Sequence, residues 1–312
     1  MKGKSKFWQQ NYEPGVPGEI DPDSLIPLQG YLSNTAKRYP GATALSNFGA
    51  GMSYDELESE SRKFAQGLKE TFVLEPGDRV AVMLPNIMQF PVALFGILRA
   101  GMVCVSVNPL YTPRELSHQL KDSGARAIVV LENFASVLVE VVDETDVEHV
   151  VVASVGDYLP RLKGAMFNFV LRHVKKVVPT WHLPQAVGFT DFMAQHDPRY
   201  QVDYKTSLDD IALLQYTGGT TGLSKGAILT HRNVSANIQQ GLAWCTDRFD
   251  PGREVAITAL PLYHIFALTA NLMFMTAVGG NCVLITNPRD FPGFVRTLRK
   301  WRMSYITGVN TL

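Results

Sequence analysis

A chain of 312 residues is long enough for one large domain or two, and an apolar share of 46% allows a sizeable buried core. Lysine plus arginine (29) balance aspartate plus glutamate (29), so no global field favours nucleic acid or another polyanion, and a charged ligand must be met locally. Cys104, Cys245 and Cys282 are widely separated, lack metal or redox spacing, and read as buried thiols of a reducing cytoplasm.

Lysines close to Met1 are followed by no apolar run, so the start does not read as a secretory signal. The segment 1–77 is expected to pack on the first subdomain, and within it Ser53 and Glu56 have capping-box spacing. From residue 78 the pattern alternates: strand 79–84, helix 87–99, strand 103–107, helix 113–123, strand 127–131, then a helix and strand 149–153. The helix at 113 is marked by Thr112 with Glu115, by Pro113 in its first turn and by Gly124 just past its end. This rhythm predicts a doubly wound α/β subdomain over 78–157. A connecting segment over 158–208 follows, and a second α/β subdomain over 209–312 is expected to carry strands at 211–216, 227–230, 254–259, 281–285 and 303–307, with helices near 233–243, 266–277 and 291–301. Two apolar stretches, 87–107 and 265–285, fail as membrane spans. Pro91, Arg99 and Gly101 break the first, and Asn271, Gly279, Gly280 and Asn281 the second.

Between the strands at 211 and 227 lies the most informative stretch: Tyr216, Thr217, Gly218, Gly219, Thr220, Thr221, Gly222, Leu223, Ser224, Lys225 and Gly226. Glycines let backbone N–H groups approach an anion, hydroxyls add donors, and a lysine supplies a compact charge for outer phosphates. A Walker A loop needs Gly before the Lys and Ser or Thr after it; here Ser224 precedes Lys225 and Gly226 follows. The strand-like flanks predict a hairpin tip, with loop amides and hydroxyls holding phosphate and little help from a helix dipole. A bare surface hairpin would not need the lysine, the hydroxyls and the following Thr230 to Asn233 together.

This stretch resembles the phosphate-binding signature of AMP-forming adenylating enzymes, the group of acyl-CoA synthetases, luciferases and peptide-synthetase adenylation domains. Further segments, including 54–57, 98–103 with Asn108 and Pro109, 260–267 and 307–311, are similar to bacterial long-chain fatty-acid CoA ligases. The resemblance implies a large N-terminal domain of two doubly wound α/β subdomains without the C-terminal lid, the ribose-binding aspartate or the adenylation lysine, and a fragment of low activity alone. It implies ATP, Mg2+ and coenzyme A as co-substrates and a long-chain fatty acid as the acid activated. An aryl or medium-chain acid, or a non-catalytic nucleotide- or acyl-binding role, stay open as alternatives.

By the same resemblance Lys225 and the loop 216–226 hold the β- and γ-phosphates, and Thr217 stands near Mg2+ while its acidic partner falls outside this chain. His264 would orient the carboxylate and the leaving pyrophosphate, though a lone histidine among apolar residues is more often a satisfied core residue. Phe266, Leu268 and Leu272 would line part of an acyl tunnel; the alternative is ordinary core. Leu268 stands where some relatives carry a tryptophan gate, so that gating is not expected here. The segment 159–178 joins Arg161, Lys163, Arg172, Lys175 and Lys176 to Met166, Phe167 and Phe169, with no acidic residue between Asp157 and Asp191. That composition suits peripheral contact with the inner face of the cell membrane, against the alternative of a helix docked on the sheet with solvated lysines. Oligomeric state has no signature; a homodimer through exposed apolar surface is one arrangement such a fragment allows.

Overall fold

Two parallel-rich sheets share one helical layer between them in the computed structural model, which describes residues 6–217, 223–245 and 248–310. The strands are β1 (Thr43–Asn47), β2 (Ala50–Ser53), β3 (Arg79–Met83), β4 (Val103–Ser106), β5 (Ala125–Leu131), β6 (His149–Ala153), β7 (Ala186–Gly188), β8 (Ile211–Thr217), β9 (Lys225–Thr230), β10 (Val255–Thr258), β11 (Asn281–Leu284) and β12 (Tyr305–Ile306). The helices are α1 (Leu28–Arg38), α2 (Tyr54–Gln66), α3 (Gln89–Arg99), α4 (Pro113–Ser123), α5 (Ala135–Val139), α6 (Arg161–Phe169), α7 (Phe189–Ala194), α8 (His231–Cys245), α9 (Ile265–Ala267), α10 (Phe274–Val278) and α11 (Phe291–Lys300).

Side chains alternate across each strand, and this alternation builds the layers. Val80, Val82 and Leu84 join the core formed with α1, α2 and α3, whereas Ala81 and Met83 join Leu116 and Leu120 of α4 and Leu138 of α5. On the second sheet Ala256, Cys282 and Leu284 reach the same central helices, while Ile257, Val283 and Ile285 pack with Phe294, Leu298 and Trp301 on and beside α11. Helix α3 lies in the middle layer with Phe90 and Val92 through Leu98 buried. Each such large apolar side chain contributes about 1.5–3 kcal/mol on burial, which accounts for its apolar run without a membrane. No described helix is long and apolar enough to cross one.

The local start signals act as read. Ser53 Oγ accepts from Glu56 N while the Glu56 carboxylate accepts from Ser53 N at 2.7 Å, and Thr112 and Glu115 repeat the exchange ahead of α4. Gly124 ends α4 in the left-handed region at φ 59°, a conformation that costs other residues a Cβ clash.

Chain order and sheet membership differ. The seven-stranded sheet runs β7-β6-β5-β3-β4-β8-β9, so the hairpin of 211–230, expected inside a self-contained second subdomain, extends the first sheet instead; β8 pairs parallel with β4, Cys104 opposite Leu213. The five-stranded sheet runs β12-β10-β11-β1-β2, so β1 and β2 of the N-terminal segment complete the second sheet rather than merely packing on the first. Periodicity reports that a strand is buried but not which edge it joins. The helix expected over 266–277 is also not continuous: a π-helical stretch, Leu268–Met273, separates α9 from α10.

Candidate functional site at the carboxyl ends of β3, β8 and β10

The hairpin forms as its apolar flanks predict. Strands β8 and β9 are antiparallel, and their last pairing before the tip is Thr217 opposite Lys225, both exposed. Gly218, Gly219, Thr220, Thr221 and Gly222 lie outside the described residues. Leu223 is exposed, and the carbonyl of Ser224 accepts from His118 Nε2 at 2.9 Å. One pairing below the mouth, Tyr216 donates its hydroxyl to Asp122 at 2.6 Å, and burial together with that carboxylate pushes its pKa up. A Cβ on Gly226 would stand 3.0 Å from the Tyr216 ring, a tight approach that would make this tyrosine shift by a few tenths of an ångström.

His264 lies on the other sheet's side of the cleft, in the turn between β10 and α9, where its N–H donates to Pro261 O at 3.1 Å and its carbonyl accepts from Leu268 N. Its ring packs on Tyr263, centroids 4.6 Å apart, and remains open to solvent. Partial loss of water lowers its pKa from the usual value of 6.5, which favours the neutral imidazole.

Two buried amides bind these parts together, and neither was picked out from the sequence. Gln215 of β8 donates Nε2 to Tyr263 O at 3.2 Å, and Asn86, just past β3, donates Nδ2 to Thr258 O at 3.0 Å and Leu260 O at 2.9 Å. Asn86 Oδ1 accepts from Leu262 N at 2.8 Å, so one side chain satisfies three backbone groups of the segment leading to His264. An amide within an apolar strand or just past one was the available signal, since such a group needs a partner once buried. The arrangement brings the exits of β3, β8 and β10 to one place, and open α/β sheets bind ligands outside such carboxyl ends.

The three residues expected on the acyl side do not share one surface. Phe266 is 52% exposed, whereas Leu268 and Leu272 are buried in the central core. The π stretch carries Asn271, whose Oδ1 accepts from Thr307 Oγ1 at 2.7 Å while its buried Nδ2 has no partner among the described residues. Such π insertions often mark functional sites. Thr217 is exposed at the hairpin mouth, and no group of three or more His, Cys, Asp or Glu able to hold a metal occurs among the described residues.

After β6, helix α6 and its π continuation Val170–Val174 divide their residues in two. Arg172, itself still exposed, pairs with the buried Glu132 at 2.7 Å and donates to Ser154 Oγ at 3.0 Å, Lys163 donates to Phe48 O, and Gly164 lies against Gly156. Leu162 (89%), Met166 (63%), Phe169 (58%) and Val174 (66%) face outward beside exposed Arg161, Lys175 and Lys176. Arg172 and Lys163, read as part of a basic surface, therefore fasten the helix.

Fold and site together describe two α/β sheets whose strand exits meet beside the His264 turn, and comparison with known proteins gives the family. The chain belongs to the AMP-binding enzymes, whose family model matches residues 32–312. It is 51% identical over 308 residues to the long-chain-fatty-acid–CoA ligase of Salmonella typhimurium, covering 98% of this chain and 55% of that protein. It is 33% identical over 281 residues to the enzyme of that name from Bacillus subtilis, covering 90% and 50%. The chain thus spans about half the length of the curated relatives it matches. A crystal structure of a long-chain-fatty-acid-CoA ligase from Archaeoglobus fulgidus superposes with a TM-score of 0.73 at 23% identity, covering 95% of this chain and 54% of the other. An anthranilate CoA ligase in complex with anthranoyl-AMP gives 0.75 at 20% identity, covering 92% and 51%. These two likenesses establish the fold.

Proposed function

We propose that this chain forms the nucleotide- and carboxylate-facing part of a ligase that activates a long-chain fatty acid with MgATP and passes it to coenzyme A. In the first step a carboxylate oxygen bonds to the α-phosphorus of ATP and the bond to the β-phosphate oxygen breaks, releasing pyrophosphate and leaving acyl-AMP. In the second, the thiolate sulfur bonds to the acyl carbon and AMP departs. Both steps rest on positioning and charge stabilisation more than on covalent help from the protein. Lys225 at the hairpin mouth offsets charge on the outer phosphates, and Thr217 with the loop 218–224 supplies further donors. His264, with its neutral imidazole favoured, orients the carboxylate and is not a nucleophile. Phe266 borders the entry of the acyl chain, with Leu268 and Leu272 behind it.

The observation that carries this reading is the Gln215 to Tyr263 bond, which holds the phosphate hairpin and the His264 turn as one unit. The names of the relatives support the long-chain acid. Acid-dependent exchange of pyrophosphate into ATP by the full-length protein tests it: exchange should be greatest with palmitate, and exchange greatest with benzoate or octanoate would assign a different acid.

The same reading extends to the inner face of the cell membrane, where a fatty acid is met. The outward face of α6 and its π continuation supports this, because exposed Leu162, Met166 and Phe169 beside Arg161, Lys175 and Lys176 suit the headgroup region of an anionic bilayer.

A further inference from the structure

Helix α4 presents two polar side chains one turn apart, His118 and Asp122, and each reaches a different arm of the β8–β9 hairpin. Asp122 accepts from the Tyr216 hydroxyl on the incoming arm at 2.6 Å. His118 Nε2 lies 2.9 Å from the carbonyl of Ser224 on the outgoing arm; a carbonyl can only accept, so this nitrogen carries the proton. The helix itself is rigidly held. Its capping box and Gly124 fix both ends, and Gln119 donates to Ser106 O of β4 at 2.9 Å, so the face that grips the hairpin is anchored to the neighbouring strand.

We propose that His118 is a positioning residue for nucleotide binding, holding the Ser224 carbonyl and thereby fixing the loop arm from which Lys225 is presented. This rests on the reading of the hairpin as a phosphate loop. A loop tied at both arms loses less conformational freedom when its ligand arrives, so the tether acts on affinity for the phosphates rather than on the chemical step. His118 has no role toward the acid, which is met across the cleft at His264.

The test uses the full-length protein with His118→Leu and His118→Gln, since a glutamine amide can reach the same carbonyl. Pyrophosphate exchange is measured against MgATP and against palmitate, MgATP binding is measured by calorimetry, and melting temperature is recorded. His118→Leu should raise KM and Kd for MgATP about tenfold with KM for palmitate unchanged, and His118→Gln should return both to within about threefold of the parent. An unchanged Kd for MgATP in His118→Leu, or equal losses in both variants with a lowered melting temperature, overturns the proposal. A parent protein that binds MgATP but exchanges pyrophosphate with no acid would instead defeat the ligase reading, while the calorimetric comparison would still decide the role of His118.

Discussion

The side-chain amide of Gln215 lies 3.2 Å from the carbonyl oxygen of Tyr263, joining the strand that enters the phosphate hairpin to the turn that carries His264. Gln215 lies in β8 of the seven-stranded sheet and Tyr263 in the turn that follows β10 of the five-stranded sheet, so the bond ties the two parts of the site together.

Gln215→Leu should therefore impair both reactants together. Loss of the tether costs about 1–2 kcal/mol, or roughly five- to thirtyfold in kcat/KM for MgATP and for palmitate alike. Initial rates of pyrophosphate exchange check it, and a loss confined to one substrate would show that the bond does not couple the two halves.

Asn86 carries a stability consequence. Removing its amide in Asn86→Ala leaves the carbonyls of Thr258 and Leu260 and the N–H of Leu262 buried without that partner. A loss of about 2–4 kcal/mol in urea unfolding is expected. A change below about 0.5 kcal/mol, the range of ordinary surface substitutions, would mean that the segment before His264 is held by other contacts.

His231 gives the fold a pH dependence. It is 1% exposed, its Nδ1 accepts from Leu28 N at 3.1 Å, and burial lowers its pKa from 6.5 to about 4. As pH falls below 6.5 the unfolded chain takes up a proton that the folded chain refuses, so stability declines until the folded group also protonates near pH 4. The decline from this group between pH 7 and pH 5 is about 2 kcal/mol. His231→Gln, which keeps an acceptor for Leu28 N, should flatten that portion of the stability profile measured by denaturant titration; an unaltered slope would contradict the assignment.

The helix α6 face separates two roles of basic residues. Lys175→Glu with Lys176→Glu should lower sedimentation with phosphatidylserine vesicles at least fivefold, at about 1 kcal/mol per lysine near an anionic surface, and leave melting unchanged. Arg172→Ala, which strips Glu132 of its partner, should lower melting temperature. Vesicle binding unaffected by the two lysine changes would remove the membrane reading.

Much of the architecture was legible because local chemistry and tertiary packing agree. The boxes at Ser53 and Thr112, the left-handed Gly124 and the apolar strands each form where their side chains require. What escaped the sequence was long-range: β1 joining β11, and β8 joining β4, are choices of edge that no window of neighbouring residues encodes. Within the site, Lys225 and His264 stood out by type and surroundings. Gln215, Asn86 and His118 did not, because an amide or imidazole gains its meaning only from the carbonyl it meets. Conversely Arg172 is surface charge, as its composition suggests, and also the partner of the buried Glu132, which no spacing announces.

Calorimetric titration of the protein with MgATP, beside its Lys225→Ala variant, tests the phosphate-holding role of the hairpin most directly. Binding by the parent that weakens about tenfold or more in the variant is the expected result. Equal affinity in the two proteins would show that nucleotide phosphates are held elsewhere.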